Sequence, residues 1–108
     1  MSADDLRARL CHADASVRRI ALRDLLGSGS APTPNVLERV ALSIGAAPEG
    51  EAELALRVIA RWAYLPARGV VETVMMNPKS PARVAHEARI ALDRIDLVAM
   101  GKIPSPLA

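Results

Sequence analysis

The residues best suited to chemistry in this sequence are its two histidines and the acids beside them. His86 and Glu87 are adjacent, and an imidazole next to a carboxylate is a ligand pair that suits iron. The other histidine, His12, has no adjacent carboxylate. The chain holds one such dyad, so only a homodimer would bring two together. The simpler interpretation places His86 on a solvated helix face with Arg89 and Asp93.

Other kinds of reactive centre are poorly supported. Cys11 stands near the end of the first predicted helix, where the helix dipole disfavours a thiolate, and we expect it to be a partly buried, small apolar residue. The stretch from Gly27 to Gly29 lacks the lysine and the spacing of a phosphate-binding loop. No Cys or His cluster has zinc spacing. We therefore predict a non-enzymatic protein with no catalytic residue, no metal ligand and no cofactor.

Composition indicates helices and gives little indication of the partner. The 108 residues fit one domain, and Trp62 and Tyr64 are the only aromatic residues, so the core must be aliphatic. Cores rich in alanine and leucine suit close helix packing better than β-sandwiches. The 14 basic and 12 acidic residues leave a net charge of only +2, which does not indicate nucleic acid.

The expected location is the cytoplasm. Cys11 is the single cysteine, which excludes an intramolecular disulfide and suits a reducing compartment. The first residues are acidic where a signal peptide needs cations. The longest apolar run, residues 59–65, is interrupted by Arg61, so we expect no membrane span and no membrane partner.

Proline and glycine divide the chain into helical segments joined by turns. Residues 1–96 are expected to form one domain, and residues 97–108 an extended tail containing prolines. Ser2, Asp14, Thr33 and Ser80 stand where N-caps are expected. The predicted helices span residues 3–11, 15–26, 34–44, 51–65, 67–76 and 81–96.

The apolar positions of these segments follow helical spacing. The fourth segment is apolar on most sides, which predicts the central helix of the domain. Its one polar stripe contains Glu53, Arg57, Arg61 and Tyr64. The buried stripes expected for the other long segments are Val17, Ile20, Ala21 and Leu25; Val36, Leu37, Val40, Ala41 and Ile44; Val70, Val71, Val74 and Met75; and Val84, Ala88, Ala91, Leu92 and Ile95.

Three segments share a pattern of one apolar residue per turn. Its members are Val17, Ala21 and Leu25; then Leu54, Val58 and Trp62; then Val84, Ala88 and Leu92. Residues 14–27 read Asp-x-x-Val-Arg-x-x-Ala-x-x-x-Leu-Leu-Gly, and residues 14–95 as a whole resemble the HEAT-like repeat family, including its phycobilin-lyase type. The third unit has Ala85 in place of the arginine, and the middle unit is degenerate.

This resemblance implies an all-α fold, a short right-handed α-solenoid of about three HEAT-like helical hairpins with five to six helices. A plain bundle of five or six helices is the alternative. Arg18 falls inside the apolar arc of the second segment, so we expect hydrogen bonds to Asp14 or to carbonyls of the preceding turn. The family resemblance implies that this arginine braces adjacent repeats.

HEAT-like proteins line their concave side with the second helix of each pair, here the third and fifth segments. The resemblance therefore implies a protein or peptide partner bound by an adaptor or accessory protein. A mixture of apolar and polar groups suits such an interface. The expected partner-binding residues are Glu38, Arg39, Leu42, Ser43, Arg68, Glu72, Thr73 and Met76.

Two alternative functions stay open. His86 and Glu87 resemble the dyads of deoxyhypusine hydroxylase, another HEAT-like protein that uses four of them, so a dimeric His-Glu metal-binding protein is one alternative. A weak nucleic-acid binder is the other, although acids are interleaved with its arginines. The arginines concerned are Arg19, Arg23, Arg57, Arg61, Arg89 and Arg94. Ile90, on the polar side of the sixth segment, is expected to be covered by the tail or by a second subunit.

Overall fold

In the computed structural model, which describes residues 3–107, all regular secondary structure is helical. The prediction of an all-α fold is therefore confirmed for the described chain. The six α-helices are α1 (Ala3–Leu10), α2 (Ala15–Gly27), α3 (Pro34–Ser43), α4 (Glu49–Trp62), α5 (Arg68–Met76) and α6 (Ala82–Ala99), with a 3-10 turn at Leu65–Ala67.

Helix α4 lies at the centre of the molecule, as its apolar sequence predicts. It packs against α2, α3 and α6, while α1 contacts α2 and α3, and α5 contacts α6. Leu54, Val58 and Trp62 are 7%, 0% and 5% exposed, so the repeated apolar pattern does face the core. The molecule measures 34 × 34 × 18 Å, and its short axis corresponds to about two helix diameters.

The stripes predicted for α3 and α6 are buried at every position. Thr33 caps α3 as expected, since its side chain accepts a hydrogen bond from the Val36 amide. Asp14 caps α2 in the same way through the Ser16 amide. The predicted cap Ser2 lies outside the described residues. Ser80 does not cap α6, because its hydroxyl donates to the Val74 carbonyl at 2.7 Å.

Two helices end three residues away from the predicted position, and a residue in the left-handed backbone region follows each of them. Helix α4 ends at Trp62, not at residue 65, because Ala63 has φ 46° and ψ 52°. Helix α6 continues to Ala99, three residues into the predicted tail, and stops where Gly101 has φ 72°. The amides of Gly101 and Lys102 bond back to the carbonyls of residues 98 and 97, a Schellman arrangement.

Several predicted environments are wrong. Tyr64 lies beyond the end of α4 and is only 8% exposed, so it does not belong to that helix's polar stripe. Ile20 is 49% exposed, because α1 and α4 cover α2 on the side of Leu22. Cys11 is exposed, since α1 ends one residue before it. Ile90 is 41% exposed, so the described part of the tail does not cover it, while the alternative of a covering second subunit stays a prediction.

Candidate functional site

Arg18 ties the first loop and α4 to α2. Its Nε donates to both carboxylate oxygens of Glu51 at 3.0 Å, and its Nη1 donates to the carbonyls of His12 and Ala13 at 2.7 and 3.0 Å. The bonds to carbonyls are confirmed, but the expected partner Asp14 is wrong because its carboxylate caps α2. Nothing local in the sequence indicates Glu51, which is 33 positions away.

The α3 residues of the predicted surface lie opposite the buried stripe of that helix. Leu42 is 63% exposed, directly beside the buried Ala41 of the same helix. Glu38 is also exposed, and its carboxylate accepts a hydrogen bond from the Tyr64 hydroxyl at 3.2 Å. Arg39 is half-buried. Ser43 donates its hydroxyl proton to the Val40 carbonyl at 2.8 Å, which occupies its only donor.

The α5 residues of that surface mostly bond within the protein. Arg68 donates to Asp96 at 2.8 Å and to Glu72 at 2.7 Å. These bonds lower the pKa of Asp96 and raise that of Arg68. Thr73 donates to the Gly69 carbonyl at 2.9 Å. Met76 is 69% exposed at the end of the helix.

Tyr64 joins the end of α4 to α3. Burial raises the pKa of its phenol, and the hydrogen bond to Glu38 and the charge of that carboxylate raise it further. The neutral hydroxyl therefore persists as a donor to Glu38 at ordinary pH. This contact holds the segment after α4 against α3, where a concave surface forms.

A groove of about 290 Å³ separates α3 from the 3-10 turn and the start of α5. We call it the α3–α5 groove. Most of its lining is apolar, with Glu38 at its edge. The residues that line it are Glu38, Ala41, Leu42, Gly45, Ala46, Pro66, Ala67 and Val70.

A second concavity of about 310 Å³ lies on the other side of Leu42 and is called the Arg39 cavity here. The end of α1, the loop after it, α3 and the start of α4 form its walls. Leu42 and Ala46 line both the cavity and the groove, so the two are neighbours. Its lining residues are Leu10, Cys11, His12, Ala13, Arg18, Arg39, Leu42, Ser43, Ala46, Ala47, Pro48 and Glu51.

The structure therefore brings only part of the predicted surface together. Glu38, Arg39, Leu42 and Ser43 surround the two concavities, and Thr73 lines a neighbouring cavity with Val70. Arg68, Glu72 and Met76 line none of these three. Sequence analysis missed the contributions of the loop after α1 and of the 3-10 turn. The one available signal for the turn was Pro66, which marks a break after an apolar run.

The alternative chemistries gain no support from geometry. His86 is exposed, and Glu87 accepts a hydrogen bond from Arg57 at 3.2 Å. Throughout the described chain, no three His, Cys, Asp or Glu side chains are grouped to hold a metal ion. Of the arginines considered for nucleic acid, Arg61 donates to the Ser28 carbonyl and Arg94 to the Ala60 carbonyl. The Arg61 guanidinium also lies 4.7 Å from the Trp62 ring centroid.

A search among family models, curated proteins and solved structures finds no match to this chain. Between residues 3 and 107, no helix has the length and apolar character needed to cross a membrane.

Proposed function

We propose that this chain is a small, non-enzymatic adaptor or accessory protein that binds a protein or peptide partner at the α3–α5 groove. We also propose that its helices are HEAT-like hairpins in a short right-handed α-solenoid. The observation that carries the binding proposal is Leu42, a leucine with 63% of its surface exposed between two concavities. An apolar centre with a polar rim is the usual anatomy of a protein interface.

The regular spacing of contacts between even-numbered helices supports the repeat proposal. The side chain of Arg18 bonds to Glu51, Arg61 bonds to the Ser28 carbonyl, and Arg94 bonds to the Ala60 carbonyl. The partners are 33, 33 and 34 positions apart, and those of a fourth contact, from Arg57 to Glu87, are 30 positions apart. Helix α2 packs on α4 and α4 packs on α6, as in stacked hairpins, but the packed pairs are α1–α2, α3–α4 and α5–α6. The expectation that α3 and α5 are the second helices of their pairs is therefore wrong, because α3 packs on α4 and α5 on α6.

A rigid surface would give the binding site its affinity. The walls of the groove belong to α3 and to the turn that Tyr64 holds against it, so little conformational entropy is lost when a partner docks. An exposed leucine beside such a groove can accept the apolar face of a partner helix or an extended segment.

The test is affinity capture from the native cell with three forms of the chain, compared by quantitative mass spectrometry. The Leu42→Asp variant places a charge at the centre of the surface. The Ile20→Asp variant is the matched control, because Ile20 is 49% exposed on α2, away from both concavities. We expect Leu42→Asp to reduce recovery of a partner at least about tenfold, since burying an unpaired carboxylate is costly.

Ile20→Asp is expected to recover that partner as the unmodified chain does. Far-ultraviolet circular dichroism and thermal unfolding would verify that both variants are folded. Equal recovery by all three forms, or equal loss in both variants, would refute the α3–α5 groove as the binding site.

A further inference from the structure

The Arg39 cavity contains three charged groups, and two of them neutralise each other. Glu51 is 3% exposed and accepts hydrogen bonds from Arg18 at both oxygens, at 3.0 Å. Arg18 also donates to the carbonyls of the loop after α1, so this wall of the cavity is held in place from α2 and α4. The remaining charge is that of Arg39.

Arg39 has no partner among the described residues. Its Nε is buried and makes no hydrogen bond, and its side chain forms no ion pair with a described carboxylate. A buried N–H group without an acceptor is rare, because its desolvation is not compensated. The Nη groups of Arg39 are not buried in this way and also make no hydrogen bond to a described residue, so an acceptor brought into the cavity would pair with them.

The neighbouring groups also favour an acceptor as the ligand. The Nδ1 atom of His12 accepts a hydrogen bond from the Asp14 amide at 2.9 Å, so a neutral His12 ring carries its hydrogen on Nε2. The Cys11 thiol is a weak donor. The only carboxylate in the lining, Glu51, already accepts from Arg18 at both oxygens. Arg39 is therefore the one charged side chain of this described lining that has no hydrogen-bond partner.

We infer that the Arg39 cavity binds a carboxylate of the partner segment whose apolar side chain docks in the α3–α5 groove. This inference rests on the proposed function. One uncompensated positive charge matches one carboxylate, whereas a dianionic phosphate would keep one negative charge uncompensated. Because Leu42 lines both concavities, the acidic and apolar groups of the ligand must lie close together in space, as they do in adjacent residues of a short peptide.

The probe is a doubly blocked dipeptide of glutamate followed by leucine, with the glutamine–leucine dipeptide as its neutral match. Binding is followed by two-dimensional ¹H–¹⁵N NMR at constant ionic strength, including the arginine Nε–H signals. We expect the glutamate dipeptide to shift the signals of the Arg39 Nε–H and of the amides of residues 11–13. It should bind about tenfold more tightly than the glutamine dipeptide, as expected for a charge-assisted hydrogen bond.

Variants at Arg39 test the source of this preference. Arg39→Gln should remove the preference for the glutamate dipeptide, and Arg39→Lys should keep part of it by retaining the charge. Arg23→Gln, an exposed arginine of α2, is the control and should leave the preference unchanged. Because Arg39 makes no bond to a described residue, these variants should remain folded, which their NMR spectra will report directly.

Three results would overturn the inference: equal binding of the two dipeptides, a preference that survives Arg39→Gln, or tighter binding of inorganic phosphate than of the glutamate dipeptide. If one of these occurs while partner capture still depends on Leu42, the carboxylate site fails and the proposed function stands. If the dipeptide preference holds but capture does not depend on Leu42, the proposed function fails and the anion site alone remains.

Discussion

Arg18 and Glu51 form an ion pair across the interface of α2 and α4, with both carboxylate oxygens 3.0 Å from the arginine Nε. Glu51 is the most deeply buried charged residue of the described chain, at 3% exposure, whereas 21% of the Arg18 side chain remains exposed. Without the pair, the Glu51 carboxylate would stay buried and uncompensated, whereas the Arg18 guanidinium could still reach water. The same arginine fixes the loop that forms one wall of the Arg39 cavity.

The first prediction concerns this pair. Arg18→Met should reduce the free energy of unfolding by about 3 kcal/mol, because it leaves the Glu51 carboxylate buried without a partner. Glu51→Met should cost less, about 2 kcal/mol, because Arg18 can reach water. The double variant should cost at least about 1 kcal/mol less than the sum of the two. Urea unfolding of the four proteins measures this coupling, and strictly additive losses would show that the pair is not coupled.

The second prediction separates two leucines with opposite environments. Leu56 is 0% exposed in α4, and Leu42 is 63% exposed in α3. Leu56→Ala should lower the free energy of unfolding by about 2–5 kcal/mol, because it leaves a cavity in the core. Leu42→Ala should change it by less than about 0.5 kcal/mol. Chemical unfolding tests both, and a large loss from Leu42→Ala would mean that this residue serves the fold and not a partner.

The third prediction uses Tyr64, the single tyrosine of the chain. Its pKa is raised above 10.0 in the folded protein, so the folded chain binds more protons than the unfolded chain above that pH. Stability should therefore be full below pH 10.0 and fall as the pH rises through the pKa of the folded state. Ultraviolet absorbance of the phenolate in folded and urea-unfolded protein measures the difference.

Two variants determine the cause of that shift. Glu38→Gln removes the charge but keeps the burial, which is the largest cause, so the pKa of Tyr64 should fall partway towards its ordinary value. Tyr64→Phe should remove the alkaline loss of stability contributed by this group. If phenol titration is the same in folded and unfolded protein, the contact between the end of α4 and α3 is not formed in solution.

The fourth prediction compares two glycines whose added methyl groups would meet no atom within 4 Å. Gly101 has φ 72°, a region that L-residues adopt at a cost, so Gly101→Ala should lower the stability by about 1 kcal/mol. Gly50 lies in the first turn of α4, and Gly50→Ala should raise the stability by about 0.5 kcal/mol. Thermal unfolding of the two variants measures both changes in stability. Changes of the same sign would show that the positive φ of Gly101 does not determine the stability of the α6 terminus.

The helices could be predicted because their signals are local. Thr33 and Pro34 mark the start of α3, and apolar residues three and four positions apart mark its buried side. Such patterns depend only on helix geometry and capping. The Ala63 stop could not be predicted in this way, because alanine rarely adopts the left-handed region and favours helix everywhere else.

The concavities beside Leu42 depend on contacts between distant residues, and they were only partly predicted. The family resemblance indicated the outward residues of α3, but the cavity wall depends on Arg18 and its partner Glu51, 33 positions away. Of the two alternatives expected for Arg18, it bonds to carbonyls and not to Asp14, because the Asp14 carboxylate is the N-cap of α2. That the Arg39 side chain has no hydrogen-bond acceptor is visible only in the three-dimensional structure.

Site-directed photo-crosslinking tests the central claim most directly. A photoreactive amino acid placed at position 42, in the chain expressed in its native cell, should form a covalent product with the partner that the unmodified chain captures. The same amino acid at position 20, which is also exposed, should form none with it. Crosslinking of that partner from position 20 and not from position 42 would show that it docks elsewhere, and the proposed binding surface would be wrong.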